Sequence, residues 1–119
     1  MGALSILGEF VSTVELPKLK ILYEYKVLRS FLHAIQQKDK KTVLVGLKSL
    51  KYLLKRSSKI DIAKQSLREV CIAEIKEYGA LDTIEQLQKN SSDEKIKIKA
   101  TKVLLKMGFN ESEVKALNS

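Results

Sequence analysis

The chain has no tryptophan, one proline, one cysteine and one histidine, and only three arginines among its 22 basic residues. Each scarcity excludes something. With Pro17 as the single proline and five scattered glycines, helices can run long without a built-in break. The regular Gly, Asn and Asp turn signals of an all-β chain are missing, so the expected fold class is all-α. Cys71 alone allows no internal disulfide and no multi-cysteine metal site, and it suits a reducing compartment. No apolar run approaches the ~20 residues of a membrane-spanning helix. The opening MGALSILGEFVST lacks the basic start of a signal peptide. The expectation is an intracellular protein without a membrane partner.

Catalytic groupings are equally thin. His33 lies beside Leu32 and within reach of Ile35, which suggests a partly buried structural histidine. Without a second histidine, and with Cys71 in an apolar stripe, neither a nucleophilic triad nor a zinc site can be assembled. Cys71 is expected to be a small core residue. Glu74 with Glu77, and Glu111 with Glu113, sit on charged faces without apolar surroundings, so they are expected to be surface charges rather than an acid–base pair. No glycine-rich phosphate loop is present. No enzyme, cofactor or metal site is expected.

What is abundant is lysine. The formal net charge is +8 at pH 7. Such a balance favours acidic protein segments, nucleic acid or anionic surfaces as partners. Lysine without arginine or interleaved aromatics argues against base readout, which prefers bidentate arginine and stacking rings. The lysines also fall at helical spacing. Lys48, Lys51 and Lys55 share one helix face, and Lys95, Lys99, Lys102 and Lys106 form an equivalent stripe on another. These seven are the candidate partner-binding residues. They form either a solvated face or a surface that repels basic peptides and attracts an acidic segment.

The apolar residues are arranged in a pattern that occurs twice. VLRSFLHAI (27–35) matches ALDTIEQLQ (80–88) in hydrophobic placement. The turn KDKKT (38–42) matches NSSDEK (90–95), and VGLKSLKYLLK (45–55) matches KATKVLLKM (99–107). Self-similarity of this kind marks stacked helical repeats, in which no unit buries its apolar face alone. Helices are expected at 3–14, 16–26, 27–37, 41–56, 62–78, 80–89, 94–107 and 111–117. Asp61 is the expected cap of the fifth, and Gly79 and Gly108 are the expected terminators of the long helices that precede them. The small residue early in each long helix is Ala3, Gly46 and Ala100. The first spacing fits the armadillo and HEAT range of about 40–47 residues, and the second is longer.

At this point a resemblance emerges. EYGALDTIEQLQKNSSDEKIKIKATKVLLKM (77–107) is similar to the last armadillo repeat of the importin-α family, nuclear-import adaptors. VLRSFLHAIQQKDKKTVLVGLKSLKYLLK (27–55) fits the penultimate repeat, and the similarity runs from Ala3 to Phe109. It implies a right-handed armadillo/HEAT-like solenoid of about two and a half repeats. Residues 1–14 would be the last helix of a partial repeat, 16–56 one repeat, 61–109 a terminal repeat and 110–119 a short C-terminal helix.

The family reads basic localisation peptides with a Trp and, four residues on, an Asn. The matching positions here are Leu4 and Gly8, Leu47 and Lys51, and Thr101 and Leu105, so none keeps the pair. The family's importin-β-binding segment and acidic tail have no counterpart here, as in a C-terminal fragment or a reduced relative. The resemblance therefore implies docking of a transport receptor or nucleoporin, in the nucleus and cytoplasm. Leu4, Leu7 and Phe10 suggest self-association through the N-terminal end. An unrelated trafficking or assembly scaffold and a phosphate-backbone-binding nucleic-acid module remain as alternatives. MGFNESEVKALNS (107–119) also resembles part of a ubiquitin-associated domain, but it lacks that domain's third helix. Gly108 as a terminator, with Phe109 folding back, accounts for the same residues.

Overall fold

The computed structural model describes residues 9, 11–24, 26–62 and 65–109. The described chain is mostly helical, in the order α1 (Leu16–Glu24), α2 (Val27–Ile35), α3 (Lys40–Ser57), β1 (Asp61–Ile62), β2 (Gln65–Ser66), α4 (Leu67–Tyr78), α5 (Ala80–Asn90) and α6 (Glu94–Lys106). Residues 11–13 are also helical. Most of the expected 3–14 helix, with Leu4, Leu7 and Phe10, and the whole of 111–117 lie outside the described residues.

The two long helices begin where short polar side chains can satisfy their unpaired N–H groups. Asp39 caps α3, its carboxylate accepting from the Thr42 amide at 3.1 Å and the Thr42 hydroxyl at 2.6 Å. Those bonds hold the Asp39 carboxyl below its usual pKa. Asp93 caps α6 by accepting from the Lys95 amide at 2.8 Å. Gly79 ends α4 with φ of 81°, a left-handed turn that glycine tolerates without a Cβ penalty.

The expected helix at 62–78 is corrected. Asp61 caps nothing; Asp61–Ile62 pairs antiparallel with Gln65–Ser66, and α4 starts five residues later at Leu67. The physical reason is a better cap. Ser66 accepts from the Glu69 amide at 3.3 Å, and the Leu67 amide donates to the Ile60 carbonyl at 2.6 Å. The extra length between the two copies thus lies mostly in a turn and a small hairpin, with α4 at 12 residues against 9 in α1.

The core draws on all six helices, α1 to α6. Phe31, Leu32, Leu47, Leu50, Leu54, Cys71, Ile84 and Leu104 are all fully buried in it. α2 lies close against α3. A Cβ at Gly46 would sit 3.0 Å from Ile35 Cγ2 and 3.2 Å from the Phe31 carbonyl oxygen. Cys71 is the small core residue expected, and burial pushes its thiol up to about 12. Ala73 faces solvent instead of joining the α4 apolar stripe.

His33 is likewise corrected: it is exposed on the outer side of α2. Neighbours in sequence are turned about 100° apart on a helix, so adjacency to Leu32 does not bury it. Its Nε2 lies 3.0 Å from Gln37 Nε2, an outward-facing pair one helical turn apart.

A lysine-lined face on α3 and α6

The packing that positions the site is α3 against α6, the most extensive helix pair in the described fold. Leu47, Leu50 and Leu54 from α3 and Ala100, Val103 and Leu104 from α6 are buried in the common core. Their burial rotates the intervening lysines outward, because residues three and four apart share a helix face.

The structure brings the two lysine stripes together. Lys51 and Lys55 face Lys102 and Lys106 across a groove of about 390 Å³, with Tyr52 and Leu105 in its lining. Toward the N-terminal ends of both helices, Lys48 meets Lys95 and Lys99 around an apolar slot of about 290 Å³. All seven candidate residues thus occupy one surface. Early residues of α3 lie beside early residues of α6, and late beside late, so the two helices run parallel.

Electrostatically the face is unbalanced. α3 contains no acidic residue, and α6 contains only Glu94. Glu94 lines an adjoining groove with Gln88, Lys97 and Thr101, and that groove shares Ile98, Lys102 and Leu105 with the lysine-lined face. None of the seven lysines forms an ion pair with a described carboxylate. Burial, and then the charges of Lys102, Lys48, Lys55 and Lys106, hold the Lys51 ammonium below the usual lysine pKa. Lys99 is lowered the same way, by burial and then by Lys51, Lys102 and Lys48. Lys51 Nζ also lies 4.9 Å from the Tyr52 ring centroid, a cation–π contact.

Away from this face, Arg68 Nη1 donates to the Lys106 carbonyl at 3.1 Å, satisfying one of the free acceptors at the end of α6. Glu74 makes a surface ion pair with Arg29, Oε1 to Nε 3.8 Å, and Glu77 is exposed. Among the described residues no group of three or more His, Cys, Asp or Glu side chains is placed to hold a metal ion. No described helix is long and apolar enough to cross a membrane.

Five residues of the face lie outside the sequence-based set, Tyr52 and Leu105 in the groove and three more in the slot. Leu44, Val45 and Ile98 form the floor of the slot between the lysines. The alternation Lys95-Ile96-Lys97-Ile98-Lys99 carried the signal. Ile96 is buried, and Ile98, two positions on, lies roughly 200° around the helix and is 51% exposed. The arrangement can hold an anionic chain by charge and an apolar group by burial. No protein-family model, curated protein or solved structure matches the chain.

Proposed function

We propose that this protein is a docking module built from armadillo-type helical repeats, and that the α3/α6 face takes an acidic protein segment. The observation that carries this reading is the meeting of two lysine stripes, one from each copy of the pattern, none of whose lysines forms a described ion pair. A surface of that kind gains from an anionic partner what it lacks internally. The parallel course of α3 and α6 supports the repeat architecture. Copies related by stacking put like helix ends side by side, whereas an up-and-down bundle alternates direction.

The resemblance to the C-terminal repeats of the importin-α family supports a role in nuclear transport, with an acidic stretch of a transport receptor or nucleoporin as partner. Leu47, at one position where that family carries its peptide-reading tryptophan, is fully buried, and Lys51 stands where the asparagine would be. Both features favour an acidic partner over a basic localisation peptide. Lysine in place of arginine, with Tyr52 as the only aromatic ring in the two linings, favours protein over nucleic acid.

The test is fluorescence anisotropy with a labelled glutamate-rich peptide. Wild type is expected to bind it, with affinity falling as salt is raised. Lys51→Glu with Lys102→Glu should abolish binding while the helical circular dichroism is retained. Binding unaffected by that charge reversal would refute the reading. Tighter binding of duplex DNA than of the peptide would move the function to phosphate backbones.

A further inference from the structure

We propose that the slot floored by Leu44, Val45 and Ile98 is an anchor pocket for one aliphatic side chain of the acidic segment that docks on α3 and α6. The inference rests on the reading of that face as an acidic-segment surface, and it specifies the partner further. The slot lining is almost wholly apolar, and Lys48, Lys95 and Lys99 surround it. A polar group entering it would lose its water without gaining a partner, so the occupant is apolar. Residues flanking the occupant meet ammonium groups, so they are carboxylates. Lys99 is half-buried, as expected of a side chain whose stem covers apolar surface while its charge stays in water.

Ile98 adds the second argument. It is 51% exposed, and it sits among lysines on the same face, outside the buried core. An aliphatic residue there leaves apolar surface in water unless a partner covers it. A second copy of this chain would bring its own excess of positive charge to an already cationic face, and a nucleic acid offers no aliphatic side chain. An acidic segment with an aliphatic residue satisfies both the slot and its rim.

Spacing follows from helix geometry. From the slot to the Lys51, Lys55, Lys102 and Lys106 groove is about seven residues of helix, or roughly 10 Å. An extended segment covers that in about three residues. The partner therefore carries its anchor about three residues from a cluster of carboxylates.

The experiment compares two labelled glutamate-rich peptides that differ only at one central residue, leucine in one and serine in the other. Wild type should bind the leucine peptide about tenfold more tightly, the gain from burying most of one leucine side chain. Ile98→Ala keeps helix propensity and should bind both peptides as weakly as wild type binds the serine peptide; Val45→Ala should fall between. Equal affinities of wild type for the two peptides would overturn the anchor and leave the docking surface standing. Binding of neither peptide would overturn both. A leucine preference that survives Ile98→Ala and Val45→Ala would place the anchor elsewhere and overturn this pocket. Wild-type self-association in sedimentation that Ile98→Ala abolishes would make the occupant a second copy, and would overturn it too.

Discussion

The helix pairs α2–α3 and α5–α6 share one sequence pattern, and the buried side of α2 is more apolar than that of α5. Phe31 in α2 corresponds to Ile84 in α5, Leu32 to Glu85, and Ile35 to Gln88. α2 buries Val27, Leu28, Phe31, Leu32, Ala34 and Ile35, whereas α5 buries Ala80, Ile84 and Gln88. Polar surface details are shared even so. Gln37 reaches back to His33, and Asn90 makes the equivalent contact with Gln86. Asp39 and Asp93 cap the two long helices alike. The lesson is that outer faces and caps are what the two helix pairs share, while the inner face sets how much each pair contributes to stability.

The largest expected effect tests that asymmetry directly. Phe31→Ala should cost about 3–5 kcal/mol, and Ile84→Ala about 2–3 kcal/mol, at the lower end for a buried isoleucine. Urea midpoints measured at unchanged m-value would give both numbers. An Ile84→Ala loss as large as that of Phe31→Ala would break the comparison.

Cys71 on α4 packs in the core, and its thiol makes part of the fold's stability depend on alkaline pH. Its pKa is raised from 9.0 to about 12, chiefly by burial and then by Glu74. The native state therefore keeps a proton that the unfolded chain releases. Its contribution is complete below pH 9 and is lost as pH rises toward 12. The slope is about 1.4 kcal/mol for each pH unit within that window. Wild type should lose stability faster than Cys71→Ala as pH is raised above 9. Parallel pH profiles of the two would show that the thiol is accessible to water.

A smaller change should bring the second copy closer to the first. Gln88 is only 6% exposed, and its Oε1 has no hydrogen-bond partner among the described residues. Ile35 occupies the matching place in α2 without that burden. Gln88→Met keeps the length of the side chain and removes the unsatisfied oxygen, so it should raise stability by about 1 kcal/mol. A loss instead would show that a partner satisfies the amide.

Much of this asymmetry is legible in the amino-acid pattern, and some is not. The long helices follow from apolar residues at three and four. Asp61 is a good capping residue and draws the expected start of α4 upstream, although Ser66 followed three residues later by Glu69 is the stronger signal. The β1–β2 turn is too short to leave a periodic trace. Each lysine stripe can be read within its own helix, since the spacing is local. That the stripes meet depends on α3 and α6 lying side by side, which only the long-range packing of residues such as Leu50 and Leu104 decides. The orphaned Gln88 oxygen belongs to the same class, because polarity is visible in sequence and burial against a partner helix is not.

The smallest effect tests the one respect in which the copies act jointly. Lys48 and Lys102 occupy matching positions in the two long helices, and Lys51 feels Lys102 more than any other charge. If the two stripes form one cationic surface, neutralising either partner relieves the other. Lys51→Gln and Lys102→Gln should each raise stability at low ionic strength, and the double variant should gain less than the sum. A like-charge pair on a solvated surface supports a coupling of about 0.2–0.5 kcal/mol, measurable in a double-mutant cycle. Added salt should shrink the coupling toward zero, since screening acts on exposed charges. Strict additivity at low salt would mean that the stripes are neighbours without being coupled. In that case the case for a single docking face would rest on the shared groove alone.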